Sequence, residues 1–181
     1  MDIVKMKRDT EGDLYYLVNA CKYLEDPERV LALGGYGVNP YNVESTVYQM
    51  IQVKKYFSKT SGNPLIHFII SYGTNVYDVE TAAALSEKIA SYFYDTYQTL
   101  WCLHEKERWH NERMTSLYHT HIVINSVSYR NGRMYDGNPH EINQFCNYVS
   151  GVTGQPNRFY FGKKEENKKP NMNGNNYVSF W

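Results

Sequence analysis

Three histidines in this chain stand where they could hold a metal ion. His119 and His121 lie one residue apart inside Tyr118–Tyr129, YHTHIVINSVSY. β-branched and aromatic residues dominate this run, and it ends at Asn131-Gly132, a hairpin signal. Side chains alternate along a strand, so both imidazoles point the same way. Val123 and Asn125 continue their face, while Thr120, Ile122 and Ile124 line a mostly apolar one suited to a core. The pair by itself is equally compatible with two half-exposed strand histidines. His104 ends an earlier strand-like run, Thr99–His104 (TLWCLH). Strands consecutive in sequence are commonly neighbours, and three imidazoles meeting there leave coordination positions open, the pattern of a catalytic site rather than a closed structural one. Glu105, Glu107 and, on the histidine face, Asn125 are the residues that could orient such ligands from behind. His110 is a rival third ligand, placed inside a polar loop. His140, in the first turn of a helix, is expected at the surface.

The chain holds eighteen tyrosines. A tyrosine can stack on a nucleobase or act as a nucleophile, and is also an ordinary strand and interface residue. Tyr23 is singled out by its helix. Thr10-x-x-Asp13 resembles a capping box, after which Leu14, Leu17, Val18, Cys21 and Leu24 fall at helical spacing. Tyr16 and Tyr23 lie almost opposite that stripe, and Asp26-Pro27 stops the helix just after Tyr23. A partly exposed surface tyrosine is the plainer reading of the same position.

The elements that must carry these residues follow in order. Residues 1–7 alternate weakly, as a short first strand. Leu33-Gly34-Gly35-Tyr36-Gly37 reads as a flexible turn and lacks the spacing of a phosphate-cradling glycine loop. Asn39 or Asn42 caps a helix whose buried stripe is Val43, Val47, Met50 and Ile51 and whose end carries Lys54, Lys55 and Lys59. Leu65–Tyr72 (LIHFIISY) is a central strand with His67 and Ser71 on one face; a lone histidine in such a run is more often a satisfied core residue than a ligand. Asp78 caps the next helix, and Asn138-Pro139 starts the last. A short partner strand through Tyr135 follows the Asn131-Gly132 turn. The expected architecture is α/β: an antiparallel-rich sheet with helices on one face and the histidines on the other, open face.

Composition sets the bounds. At 181 residues the chain can bury a real core. Lysine plus arginine equals aspartate plus glutamate, so the net charge is zero. That excludes a protein gripping nucleic acid by bulk charge, but not a local basic surface. Three scattered cysteines without a CxxC point to a reducing compartment. No stretch is long and apolar enough to span a membrane, and MDIVKMKRD has no apolar leader core. A cytoplasmic protein is expected.

The run His119-Thr120-His121-Ile122-Val123-Ile124-Asn125-Ser126-Val127, followed by Tyr129, Asn131-Gly132 and Tyr135, resembles the third motif of conjugative relaxases, or mobilization nucleases, of the HUH endonuclease superfamily. Thr120 stands where the motif has a hydrophobic residue. Cys21–Arg29 (CKYLEDPER) is similar to the motif carrying the nucleophilic tyrosine, Gly37-Val38-Asn39 to a short segment after it, and Ile66–Ser71 (IHFIIS) to the second motif. The strand ending in His104 resembles the one supplying the third metal histidine. Two departures stand out: the stretch from His104 to His119 is longer than usual, and Tyr72-Gly73-Thr74-Asn75 replaces a Pro-Gly-Glu turn.

The resemblance implies an HUH relaxase fold over residues 1–155, with 156–181 as a polar C-terminal extension of a fragment or a minimal form. It implies single-stranded DNA at an origin of transfer as substrate and Tyr23 as nucleophile, joined covalently to a 5′ phosphate. A divalent ion (Mn²⁺ or Mg²⁺) would sit on His104, His119 and His121. Lys22, Arg29, Asn39, Lys54, Lys55, His67 and Ser71 become candidate DNA contacts, with the lysines of 163–169. An accessory DNA-binding protein and a secretion or coupling machinery are the implied partners, with no membrane insertion. The competing readings are a rolling-circle replication initiator of the same superfamily, a non-catalytic single-stranded DNA-binding module, and a metal-dependent hydrolase with no covalent step. The tyrosine's place ahead of the histidines favours the relaxase order.

Overall fold

The computed structural model describes residues 1–8, 14–105 and 116–162. Six strands, β1 (Asp2–Arg8), β2 (Val30–Tyr36), β3 (Leu65–Ser71), β4 (Thr99–Glu105), β5 (Tyr118–Asn125) and β6 (Asn157–Phe161), form one sheet in the order β2-β4-β5-β3-β1-β6. All neighbours run antiparallel except β1 and β6, which are parallel. The α-helices among the described residues are α1 (Leu14–Leu24), α2 (Val43–Tyr56), α3 (Val79–Ala90) and α4 (Pro139–Thr153). Every residue of β3 is buried, as its near-continuous apolar run requires of a strand covered on both sides.

Local chemistry sets the helix boundaries. The Asn42, Asp78 and Asn138 side chains accept hydrogen bonds from the amides of Ser45, Thr81 and Glu141, capping α2, α3 and α4. Pro139 follows the last of these caps, where its missing N–H costs nothing. Gly154, in the left-handed region (φ 67°), ends α4. The expected capping box at Thr10 and Asp13 lies outside the described residues.

The sheet buries both faces. On one, Val4, Met6, Phe68, Trp101, Ile122 and Ile124 pack with Ala82 and Ile89 of α3 and Phe145 and Val149 of α4. Thr120 lies on this face too, its hydroxyl 2.6 Å from both Tyr72 Oη and Ser86 Oγ, which satisfies a polar group at an otherwise apolar position. On the other face, Leu65, Leu100, Cys102 and Val123 pack against Leu17, Cys21 and Leu24 of α1 and Met50 of α2. The sequence places helices on one face only; α3 and α4 satisfy that, and α1 with α2 add a second layer over part of the histidine face. The physical reason is that Leu65, Leu100 and Val123 share parity with the histidines and need cover.

Three elements differ from expectation. Leu33–Gly37, read as a turn, belongs largely to β2, an edge strand paired with β4. Residues 157–161, read as the start of a polar extension, form β6 and extend the sheet past residue 155. The strand read as Tyr118–Tyr129 ends at Asn125, and its expected partner strand reduces to a single bridge between Val127 and Met134. The Asn131-Gly132 turn is present. Gly132 sits at φ 70°, and a Cβ there would come within 2.5 Å of the Phe57 ring, so glycine is required on two counts. No helix among the described residues is long and apolar enough to cross a membrane.

Lys54, read as a surface cation, is buried with its ammonium donating to Ser126 Oγ at 2.6 Å. Helical spacing puts it on the Thr46–Met50 side of α2, against the sheet. Burial pulls its pKa down to about 8. Between that value and an unfolded value of about 10.4, the unfolded chain binds more protons, so stability rises with pH through this window and the penalty is fully present below it. Lys54→Met should therefore stabilise the protein at pH 7 by about 1–2 kcal/mol, with the advantage shrinking from pH 8 to 10; urea melts at both ends of the window test this.

Candidate metal and nucleophile site

β4 and β5 pair so that His104 lies directly across from His119, and His121 across from Cys102. Strand parity puts all three imidazoles on the face shared with α1. Ring centroids are 5.7 Å apart for His104–His119, 4.9 Å for His104–His121 and 4.8 Å for His119–His121. One nitrogen from each ring lies within 4.8 Å of the others, and all three residues are buried. His67 of β3 reaches diagonally across, its Nε2 2.8 Å from Nδ1 of His121. That contact fixes the His121 ring and leaves its buried Nε2 with no hydrogen-bond partner among the described residues. An orphaned nitrogen there is costly for a protein without ligand and is what a metal ligand requires. The residues present therefore fit a divalent ion on His104, His119 and His121.

Electrostatics agree. Burial pushes His121 well below its ordinary range, helped by the neighbouring His119, His67, His104 and Lys7. Burial lowers His104 to about 4 and His67 to about 3. All three are neutral imidazoles at pH 7, the state in which nitrogen lone pairs can bind metal. Cys102 Sγ, on the same face of β4, lies 3.2 Å from His104 Nε2.

Tyr23 comes to the cluster from the end of α1. Its ring meets His104 and His121 edge-on, with centroids at 5.1 and 5.2 Å and interplanar angles of 76° and 75°. The buried face of α1 is Leu17, Ala20, Cys21 and Leu24, rotated from the Leu14-containing stripe that the sequence suggests. Tyr23 flanks that face and leans onto the histidines instead of pointing away from the core. Arg29 stands beside it, the guanidinium carbon 5.9 Å from the ring centroid, and pairs with Asp26 at 3.4 Å. Burial, then Cys102, pushes the Tyr23 hydroxyl up to about 12; Arg29 opposes this by charge and hydrogen bonding, and Asp26 adds to it. The group is a phenol at neutral pH, with a cation at hand for a developing negative charge.

The other sequence-derived residues fall into two groups. Ser71 is buried across from His119, and Lys22 is exposed on α1 next to Tyr23. His67, expected at the DNA, is instead buried behind His121. Asn125, expected near the ligands, is spent on structure: Nδ2 donates to Met50 O and Gln98 Oε1, and Oδ1 accepts from Val127 N. Glu105 is exposed at the end of β4 and, by alternation, faces away from His104. Asn39 shapes the turn before α2, bonding Tyr41 N and Gln49. Lys55 is exposed on α2, away from the buried Lys54. His140 is exposed as expected, and Glu107, His110 and the lysines of 163–169 lie outside the described residues. The sequence gives no role to Cys102, yet its parity with His104 two residues on was the available signal.

A family model described as Relaxase, MobA/VirD2-like, nuclease domain, matches residues 16–152. No curated protein matches the chain, and no solved structure does.

Proposed function

This chain belongs to the MobA/VirD2-like relaxases, in their nuclease domain, and from that footing we propose that it nicks one DNA strand at an origin of transfer through a covalent bond to Tyr23. Relaxase-type DNA nicking follows from the family. The observation that carries it is the Tyr23 ring resting on the His104–His119–His121 cluster.

Tyr23 Oη attacks the scissile phosphorus, the bond to the 3′ oxygen breaks, and the 5′ phosphate stays on the tyrosine. Overall the phenol proton ends on the released 3′ hydroxyl. Arg29 is placed to offset charge as the phenol ionises. His67 holds the His121 ring by its Nδ1, which leaves Nε2 for the ion. His104, His119 and His121 would hold a divalent ion, Mn²⁺ or Mg²⁺, which would supply positive charge against that of the phosphate. One phosphodiester replaces another, so the step is reversible and permits rejoining. The protein acts in the cytoplasm with an accessory DNA-binding protein and a coupling machinery as partners.

The test uses a pool of single-stranded oligonucleotides with randomised centres, incubated with Mn²⁺ and run on a denaturing gel. A pool labelled at the 3′ end should yield a labelled, detergent-resistant protein band that EDTA abolishes. A 5′-labelled pool should yield none, because that fragment is released. An adduct carrying the 5′ label, or none with any pool, overturns the reading.

A further inference from the structure

The histidine face does not stop at the cluster. Register carries it across the sheet in rows: His104, His119, Ser71, Ile3 and Arg158 share one row, and His121, Ile69, Lys5 and Tyr160 the next. The third row runs from Val123 through His67 to Lys7. The helices α1 and α2 cover this face over β4, β5 and the end of β3. Over β1 and β6 the face is open among the described residues: Lys5 and Arg158 are exposed, and Tyr160 is 42% exposed. Arg158 Nη1 donates to Tyr160 Oη at 3.3 Å, holding cation and ring side by side.

The strip is cationic in a chain of zero net charge. Asp2, the acid of β1, lies on the opposite face and takes the Gly73 amide. Lys7 is close enough for its charge to act on both His67 and His121. With neighbouring strands about 4.8 Å apart, the Lys5 backbone lies about 10 Å from that of His121 and the Tyr160 backbone about 15 Å. Cations alternating with an aromatic ring, continuous with a phosphate-cleaving cluster, fit a polyanion whose bases can stack.

We propose that Lys5, Lys7, Arg158 and Tyr160 form the track along which single-stranded DNA runs to the histidine cluster. This rests on the nicking reading, which supplies the strand. The cations contact phosphates and Tyr160 stacks on a base, while the cluster holds the scissile phosphate at the inner end.

The experiment measures equilibrium binding of fluorescent single-stranded oligonucleotides to the full chain across a salt series. Lys5→Ser/Arg158→Ser should reduce the slope of log K against log salt by about 1.4, at about 0.7 per lost phosphate contact. Tyr160→Ser should weaken binding about tenfold with the slope unchanged. Both should bind Mn²⁺ like the wild type, which reports an intact fold. Binding is read without cleavage, so absence of a covalent adduct would remove the nicking reading and leave the surface testable. Wild-type affinity and slope in both variants overturn the track, as does competition by polyglutamate equal to that by DNA of the same charge.

Discussion

Tyr23→Phe should abolish nicking and adduct formation while leaving the fold and DNA affinity in place. The substitution keeps the ring, and with it the edge contacts to His104 and His121 at 5.1 and 5.2 Å; only the hydroxyl is lost. Neither of the other two tyrosines of α1 can take over without moving the helix. Tyr15 is 60% exposed, and Tyr16 packs against the helix-covered part of the sheet about two turns earlier. The rate should therefore fall by about 10³-fold or more, the scale on which removal of an attacking group acts when the surrounding site survives. Tyr16→Phe should retain a substantial part of the activity. Digestion of the wild-type adduct and mass analysis give the check: the nucleotide belongs on the peptide containing Tyr23. Its appearance on Tyr15, Tyr16 or a histidine assigns the mechanism to the wrong residue.

Much of this site was legible because strand parity is a strong rule. His119 and His121 sharing a face, Thr120, Ile122 and Ile124 facing a core, and His104 meeting them across a β4–β5 pair all follow from alternation and short connections. The caps at Asp78 and Asn138 were equally plain, and Asn42 was one of two candidates with Asn39. What failed depended on contacts distant in sequence. β2 reads as a turn because of Gly34-Gly35, yet a Cβ at Gly34 would come within 2.7 Å of the Trp101 ring: the glycine makes room for a tryptophan of the next strand. β6 is five residues beside a charged segment, and its strand identity comes from parallel pairing to β1, far away in sequence. The helix stripe of α1 told that one side is buried but not which sheet face receives it. Lys54 was misplaced although its spacing from Met50 already put it on the buried side of α2. His67 was assigned to DNA because its strand was read alone; only the β3–β5 register brings it behind His121.

His121→Ala should abolish nicking by a different route, loss of metal, and the difference is measurable. His121 is the ring on which the cluster converges: His104 lies at 4.9 Å, His119 at 4.8 Å, and His67 bonds its Nδ1. Its Nε2 is a buried nitrogen with no hydrogen-bond partner among the described residues. Removing it leaves two of three ligands, so Mn²⁺ affinity by calorimetry should fall by about 100-fold or more. Tyr23→Phe, in contrast, should bind the ion as the wild type does. His67→Ala separates ligand from support: it takes nothing from the cluster but frees the His121 ring, so Mn²⁺ binding should weaken about 10- to 100-fold and nicking should return at raised Mn²⁺. Excess Mn²⁺ should not rescue His121→Ala, because no nitrogen remains at that vertex. Zn²⁺ or Ni²⁺ should bind the wild type more tightly than Mn²⁺, as imidazole ligands favour them. Unchanged Mn²⁺ affinity in His121→Ala, in a chain with native circular dichroism, would place the ion elsewhere and leave the cluster a structural knot of histidines.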